Sequence, residues 1–348
     1  MALLNSLKEL KPQSFETEWI SPANIAFVKY WGKKGHQIPA NPSLSMTLKD
    51  CLTQTKVQFT PSESLSVELF LDNKKEDRFG LKIQKYLETL LLDLPWLNQV
   101  SMKVETQNTF PHGTGIASSA SGLSAFALCL TDYIHTLGHI QDENLFYKRA
   151  SYLSRLASGS ACRSVFGNFT TWGESKLPET TDKYATPFEV HKDLTRLKDI
   201  VMVVSGKEKA VSSRAGHDRM KEHPFAEARF VQAKNNFNFM VDAMKAGDMD
   251  AVGAILETEA LSLHAMMMTS PDSYTLILPN SLSGMDLVRQ FRRDSKIPLY
   301  YTLDAGPNLH LIYPDAFESK VQAFVQNELA PFAEKFIYDG VGEGPRKC

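Results

Sequence analysis

Cysteine is scarce in this chain of 348 residues, and the four present, Cys51, Cys129, Cys162 and Cys348, stand far apart. They form no CxxC pair and no disulfide framework, which excludes a stapled secreted scaffold and points to a reducing compartment. Long apolar runs are missing as well: none approaches the ~18–20 residues that a membrane span needs. The first twenty residues carry Lys8, Glu9, Lys11, Glu16 and Glu18 and lack the unbroken apolar stretch of a signal peptide. Nor does one sign of charge dominate, since 38 Lys and Arg face 40 Asp and Glu for a formal net charge of −2. That balance argues against nucleic acid or an anionic membrane as the main partner. Internal repeats and low-complexity segments are absent. What remains, 43% hydrophobic and 22% charged, is the composition of an ordinary globular protein. The expectation is a cytoplasmic protein of about two domains.

The patterning mixes strands and helices. Residues 52 to 72 and 101 to 107 alternate polar and apolar and predict strands. Residues 78 to 92 predict a helix. Leu123, Phe126, Ala127, Leu130, Ile134 and Leu137 recur at helical spacing, and Gly138 stops the run. A second helix is expected from about Asp142, interrupted by Ser158-Gly159-Ser160. The run from Asp199 to Ser205 predicts a buried strand, and the domain boundary is placed just before it, giving 1–196 and 197–348. Helices are then expected at about 225–246 (capped by Gly247), 248–268 and 282–293. A strand pair is expected over 300–313 and a last helix over 315–336. Without strict βαβ alternation this favours an α+β class.

Four segments carry chemistry. In Phe110-Pro-His-Gly-Thr-Gly-Ile-Ala-Ser-Ser-Ala-Ser-Gly122, glycines such as Gly113 and Gly115 let backbone N–H groups face an anion. The helix that follows adds its positive end, and Ser118, Ser119 and Ser121 add hydroxyls. No Gly-Lys-Ser/Thr closes the loop, so it is not a Walker sequence. An ordinary Gly/Ser helix entry is the plainer alternative. Lys29-Tyr30-Trp31-Gly32-Lys33 sets two ammonium groups beside two aromatics, as a phosphate site or as a solvated basic turn. Ser158-Gly159-Ser160-Ala161-Cys162-Arg163 gathers hydroxyls, a glycine backbone and a guanidinium, as an oxyanion cradle or as a capped helix start. Asp304, in Thr302-Leu-Asp-Ala-Gly-Pro-Asn308, is a plain turn acid unless the fold brings it to the other segments.

Together these segments resemble the GHMP kinase superfamily, and within it the diphosphomevalonate decarboxylases. Ala23-Asn-Ile-Ala with the Lys29–Lys33 string, Asn108-Thr-Phe-Pro with Ala117-Ser-Ser-Ala, the Ser158–Arg163 string and Asp304-Ala-Gly-Pro-Asn308 follow the family order. The resemblance spans roughly residues 18 to 340. It implies an S5-like N-terminal domain for ATP and a ferredoxin-like C-terminal domain, with the site in the cleft between them. It implies ATP and Mg²⁺ as cofactors and mevalonate 5-diphosphate as substrate. ATP phosphorylates the tertiary 3-hydroxyl, and phosphate and CO₂ then leave to give isopentenyl diphosphate. Asp304 and Lys29 match the catalytic pair. Tyr30 to Lys33, Ser158 to Arg163, Arg78, Ser213 and Arg214 match substrate contacts, and Gly113, Gly115, Ser118, Ser119 and Ser121 match the nucleotide loop. The metal ligands are not assigned. Similar proteins are commonly homodimers.

The chain departs from the resemblance at Pro111-His-Gly-Thr-Gly-Ile116, where the family reads Pro-Thr-Ala-Ala-Gly-Leu. Cys162 reads as a small buried residue rather than a nucleophile. His264, in Leu-His-Ala-Met, reads either as a packed or capping histidine or as part of a family-like helix. Rival activities are decarboxylation of mevalonate 5-phosphate and a mevalonate-type kinase that stops after phosphorylation.

Overall fold

The computed structural model describes residues 3–4, 7–110, 118–207 and 211–348, apart from the side chains of Ser118 and Arg214. The first half comprises β1 (Phe15–Val28), β2 (Ser43–Pro61), β3 (Ser66–Leu71), β4 (Lys74–Lys75), α1 (Asp77–Glu88), β5 (Val100–Asn108), α2 (Ser118–Leu137), α3 (Glu143–Ala157), β6 (Phe169–Trp172) and β7 (Thr186–Pro187). A 3₁₀ segment, Gly159–Val165, continues α3 after a break. The second half comprises β8 (Leu197–Val203), α4 (Ser213–Arg219), α5 (Ala226–Ala246), α6 (Met249–Met268), α7 (Pro279–Ser295), β9 (Tyr300–Thr302), β10 (Leu309–Pro314), α8 (Glu318–Phe324), β11 (Lys335–Gly340) and β12 (Arg346–Lys347).

The first sheet runs β12-β1-β2-β5-β3-β4, with β6 on β2 and β7 on β6. Its pairs are antiparallel except β3 with β5. The alternation read over 52–59 is real: Thr53, Thr55, Val57 and Phe59 point inward. They meet α2, whose Phe126, Leu130 and Tyr133 fill a core with Met102, Val104 and Leu153. Asp142 starts α3 as a cap, its Oδ1 accepting from the Leu145 N–H at 2.9 Å.

The second sheet runs β11-β8-β10-β9, with every neighbouring pair antiparallel. Helices connect β8 to β9 and β10 to β11. This is the ferredoxin-like order, 4-1-3-2 in the strands of the sheet. The continuous apolar run of β8 follows from burial on both faces. Val201 and Val203 face α5, α6 and the first sheet, while Ile200 and Met202 face α7 and α8. Gly247 ends α5 in the left-handed conformation at φ 76°, as expected of a helix stop.

One expectation needs correction. The helix expected over 315–336 is short: α8 passes through a π turn, Val325–Leu329, and a 3₁₀ turn, Ala330–Phe332. The chain then enters β11, whose Phe336 and Ile337 complete the sheet against Met202 and Val201. Further on, residues 346–347 return to the first sheet, where Lys347 pairs with Trp19 and Arg346 with Ile20.

Candidate active site

β1 ends at Val28 and delivers Lys29 to the seam between the sheets. The β9–β10 loop delivers Asp304 to the same point. Lys29 Nζ donates to Asp304 Oδ1 at 2.9 Å and to the Ala26 carbonyl at 2.7 Å. The Lys29 side chain keeps 2% of its surface exposed and that of Asp304 keeps 31%. The ammonium is therefore sealed behind a carboxylate that opens on the cleft. Burial alone would raise the Asp304 carboxyl. The charge and hydrogen bond of Lys29, helped by His310 and Arg163, outweigh it and hold the group below its ordinary range. Burial lowers Lys29, against the pull of Asp304.

The loop bearing Asp304 is pinned. The Gly306 N–H donates to the Asp304 carbonyl at 2.7 Å. Asn308 Oδ1 accepts from Val204 N at 2.8 Å and Ser205 N at 3.0 Å, tying the loop to the end of β8. Ser281 Oγ, in α7, donates to the Pro307 carbonyl at 2.6 Å. Asp304 is thus no plain turn acid.

Arg163 reaches the seam from the 3₁₀ segment after α3. It is 3% exposed, donating to Ser43 Oγ at 2.5 Å and to Asn24 Oδ1 at 3.4 Å. Asn24 Nδ2 in turn donates to Ser164 Oγ at 2.8 Å and to the Ser160 carbonyl at 3.4 Å. Ser158 and Ser160 are half-buried, whereas Gly159, Ala161 and Cys162 are buried. The Cys162 thiol donates to the Gly159 carbonyl at 3.0 Å and is pushed up to about 12 by burial, which removes it as a nucleophile.

Tyr30 and Trp31 are both buried, and His217 of α4 packs on each, ring centroids 4.3 Å and 4.6 Å away. His217 Nδ1 accepts from the Gly32 N–H at 3.0 Å. Burial raises the Tyr30 hydroxyl well above its ordinary value. Trp31 belongs to an apolar cluster with Met220, Leu263 and Ala305, so its indole joins β1 to the Asp304 loop. Lys33 is half-buried and bridges Pro39. Ser213 is half-buried in the first turn of α4, next to Ser212, which caps that helix through Ala215 N at 3.2 Å.

Ser119 is exposed in the first turn of α2. Beside it lies a cavity of about 100 Å³ lined by Thr106, Asn108, Phe79, Lys82, Ile83, Gly122 and Leu123, among others. Ser121 is placed differently from expectation. It is fully buried, with its Oγ 2.6 Å from Thr53 Oγ1, so it fastens α2 to β2 instead of facing an anion. Arg78 is exposed in α1, one residue from Phe79, and the structure shows it in no contact with the Asp304 group. Gly113, Gly115 and His112 lie outside the described residues, as do the side chains of Ser118 and Arg214. A larger hollow of about 480 Å³, lined by Trp19, Asp132 and His135, shares no residue with this site.

Three groups were not read from the sequence. Arg229 and Glu259 form a buried ion pair at 2.6 Å behind Lys29, and His217 braces Tyr30 and Trp31. A signal existed for the pair. Arg229 interrupts the inward stripe Ala226, Ala233, Phe237, Met240 of α5, and Glu259 interrupts Val252, Leu256, Leu263, Met267 of α6. Two opposite charges in adjacent apolar stripes imply each other.

Known proteins match this architecture over most of its length. Residues 21–185 match the family described as diphosphomevalonate decarboxylase-like N-terminal domain. Residues 199–346 match mevalonate 5-diphosphate decarboxylase C-terminal domain. Diphosphomevalonate decarboxylase of Candida albicans is 29% identical over 317 residues, covering 86% of this chain and 85% of that protein. Among solved structures, MDDEF in complex with MVAPP, AMPPCP and magnesium superposes with a TM-score of 0.83 at 29% identity, covering 97% of this chain and 99% of its own. Mevalonate diphosphate decarboxylase from Staphylococcus aureus does so at 0.84 and 27% identity, covering 97% and 98%.

Proposed function

The chain belongs to the diphosphomevalonate decarboxylase family, and from that premise we propose how its residues carry out the ATP-dependent decarboxylation of mevalonate 5-diphosphate. In that reaction ATP phosphorylates the 3-hydroxyl. The 3-phosphate then leaves as the carboxylate departs as CO₂, giving isopentenyl diphosphate, ADP and phosphate. The observation that carries the reading is the Lys29–Asp304 pair, in which a sealed ammonium from the first sheet meets an accessible carboxylate from the second.

Asp304 orients the 3-hydroxyl. A carboxylate held below its ordinary pKa is a weak base, so it takes the proton late, once bonding to phosphorus has made the hydroxyl acidic. Lys29 keeps Asp304 ionised and adds positive charge where phosphoryl charge gathers. Arg163, a buried guanidinium with neutral partners, takes an anionic group of the substrate. Tyr30 to Lys33, Ser158 to Cys162 and Ser213 are proposed for the remaining substrate wall, and Arg78 and Arg214 are assigned to the substrate from the resemblance alone.

The N–H groups opening α2 and the Ser119 hydroxyl are proposed to hold the nucleotide phosphates, and Ser118, Gly113 and Gly115 are added to them from the resemblance alone. The cavity beside Phe79 and Asn108 suits its base. Magnesium, when bound, neutralises phosphate oxygens. Among the described residues no three His, Cys, Asp or Glu side chains form a metal cluster. One exposed hydroxyl next to phosphates fits a magnesium carried mainly by the nucleotide, because this ion keeps waters and needs few protein oxygens. The relative bound to AMPPCP and magnesium supports both cofactors.

The rival activities, on the monophosphate or as a kinase alone, are not favoured, because the relatives are named for decarboxylation of the diphosphate. A division into 1–196 and 197–348 is supported by the gap between the two family matches and the start of β8 at Leu197. We also propose a cytoplasmic location. No helix among the described residues is long and apolar enough to cross a membrane, and all four cysteines are unpaired. A homodimer is carried over from the resemblance.

The test is Asp304→Asn, which keeps the size of the side chain and removes its charge. With ATP, Mg²⁺ and mevalonate 5-diphosphate, CO₂ release should fall by about 100-fold or more, with circular dichroism at the assay temperature showing a folded chain. Parent-like turnover in this variant rejects the assignment of Asp304. A parallel incubation with mevalonate 5-phosphate should give little CO₂.

A further inference from the structure

Helix α6 touches both members of the catalytic pair, each through a buried side chain. Glu259 is fully buried, and its Oε2 accepts the backbone N–H of Lys29 at 2.8 Å. Its two oxygens also accept from Arg229 at 2.9 and 2.6 Å, and Oε1 accepts from Asn236 Nδ2 at 2.7 Å. Five residues on, His264 Nε2 lies 3.1 Å from the carbonyl oxygen of Asp304. A carbonyl only accepts, so Nε2 carries the proton. Burial lowers the ring to about 4, which leaves it neutral at pH 7.

We propose that α6 is the gauge of the Lys29–Asp304 pair, with Glu259 and His264 as positioning residues that fix the backbone of each partner. The inference rests on the decarboxylase reading, in which that pair acts on the substrate. Lys29 is otherwise attached to the first sheet and Asp304 to the second, so their separation depends on how the sheets are docked. A single rigid helix holding both backbones lessens that dependence. Lysine has four rotatable bonds, and here it is held at both ends: the backbone by Glu259, the ammonium by Ala26 and Asp304. Stability alone does not account for the Arg229–Glu259 pair, because apolar residues in a buried ion pair's place often stabilise equally well. Position does account for it, since displacement of a reacting group by ~1 Å can cost about 100-fold in rate.

The experiment compares His264→Leu with His264→Gln in the full chain, using ATP, Mg²⁺ and mevalonate 5-diphosphate, and records thermal midpoints alongside. His264→Leu should lower kcat by about 10- to 100-fold while both KM values stay within about 2-fold. His264→Gln, whose amide can donate to the same carbonyl, should recover most of that loss. Two results overturn the proposal: a His264→Leu kcat within about 2-fold of the parent, or a loss that His264→Gln shares in full. If His264→Leu does not fold, the double variant Arg229→Met/Glu259→Met decides, since it removes both charges together with the oxygen that accepts the Lys29 N–H. A fall in kcat at steady KM supports the gauge, and an unchanged kcat rejects it. Asp304→Asn separates the two layers of argument. If it is inactive while His264→Leu is fully active, only the gauge fails; if it is active, the reading beneath the gauge fails.

Discussion

Arg163 shows what a single residue discloses when its partners are counted. A buried charge is costly unless it is paired. Here the guanidinium meets only Ser43 and Asn24, and no carboxylate among the described residues lies within ion-pair distance of it. Burial accordingly lowers its pKa, against nearby Cys162, Asp304 and Tyr30. An anionic ligand is the missing partner. Arg163→Ala should raise the KM for mevalonate 5-diphosphate by about 10- to 100-fold, the equivalent of ~1.5–3 kcal/mol for a charge-assisted hydrogen bond. The KM for ATP should stay within about 2-fold, and steady-state kinetics with each substrate varied in turn will show it. Equal rises in both constants would move Arg163 out of the substrate cradle. The sequence exposed Arg163, Lys29 and Asp304 because their neighbours form recognisable strings. It hid Glu259, Arg229 and His217, because helix periodicity assigns those positions to the core and cannot say which core residue touches a reacting group. Ser121 failed in the opposite way: its place in a serine-rich run suggested phosphate, but the helix turns it toward Thr53.

Among the elements, the break between α3 and the 3₁₀ segment decides how close the Ser158–Arg163 cradle comes to the Tyr30–Lys33 string. Gly159 sits at that break, and a Cβ there would lie 2.7 Å from the Tyr30 hydroxyl and 2.8 Å from the Trp172 ring. Tyr30 and Trp172 pack edge to face at 4.7 Å, so neither ring has room to yield. Gly159→Ala should therefore destabilise by ~1–3 kcal/mol through overpacking. The thermal midpoint should drop by a few degrees and the KM for mevalonate 5-diphosphate should rise. A variant that matches the parent in both would show that the two strings are not in contact. Long helices bounded by clear stop and cap residues, α2 before Gly138, α5 before Gly247 and α6 after Asp248, were legible to within a few residues. β11 was not, because Lys335-Phe-Ile-Tyr-Asp-Gly340 is too short for a period and follows a helix whose end is a π turn. Its identity as a strand comes from pairing with β8, far away in sequence.

At the scale of the molecule, the site exists only while the two sheets stay in register. Besides α6, the end of β11 and the segment after it supply that register. Asp339 closes the second sheet and accepts N–H bonds from Lys49 at 2.7 Å, Asp50 at 3.1 Å and Cys51 at 2.9 Å in β2. The chain then crosses to the first sheet. The Gly342 N–H donates to the Thr47 carbonyl at 2.8 Å, and the Gly342 carbonyl accepts from Asn168 N at 2.7 Å. Gly342 passes so close that a Cβ there would meet the Leu48 carbonyl at 2.3 Å. Lys347 ends the crossing on Asp132 at 2.7 Å. Asp339→Ala strands N–H groups in the seam at ~1–3 kcal/mol for each that stays dry. That cost falls on the docking of the sheets, because each sheet keeps its own core. On heating, Asp339→Ala should lose CO₂-releasing activity at a lower temperature than it loses far-ultraviolet circular dichroism, whereas the parent loses both together. Deleting residues 343–348 removes β12 but leaves Asp339 in place, and should separate the two curves by less. Coincident curves for Asp339→Ala, at the parent's midpoint, would mean that the cores alone hold the seam and that Asp339 is dispensable to the site.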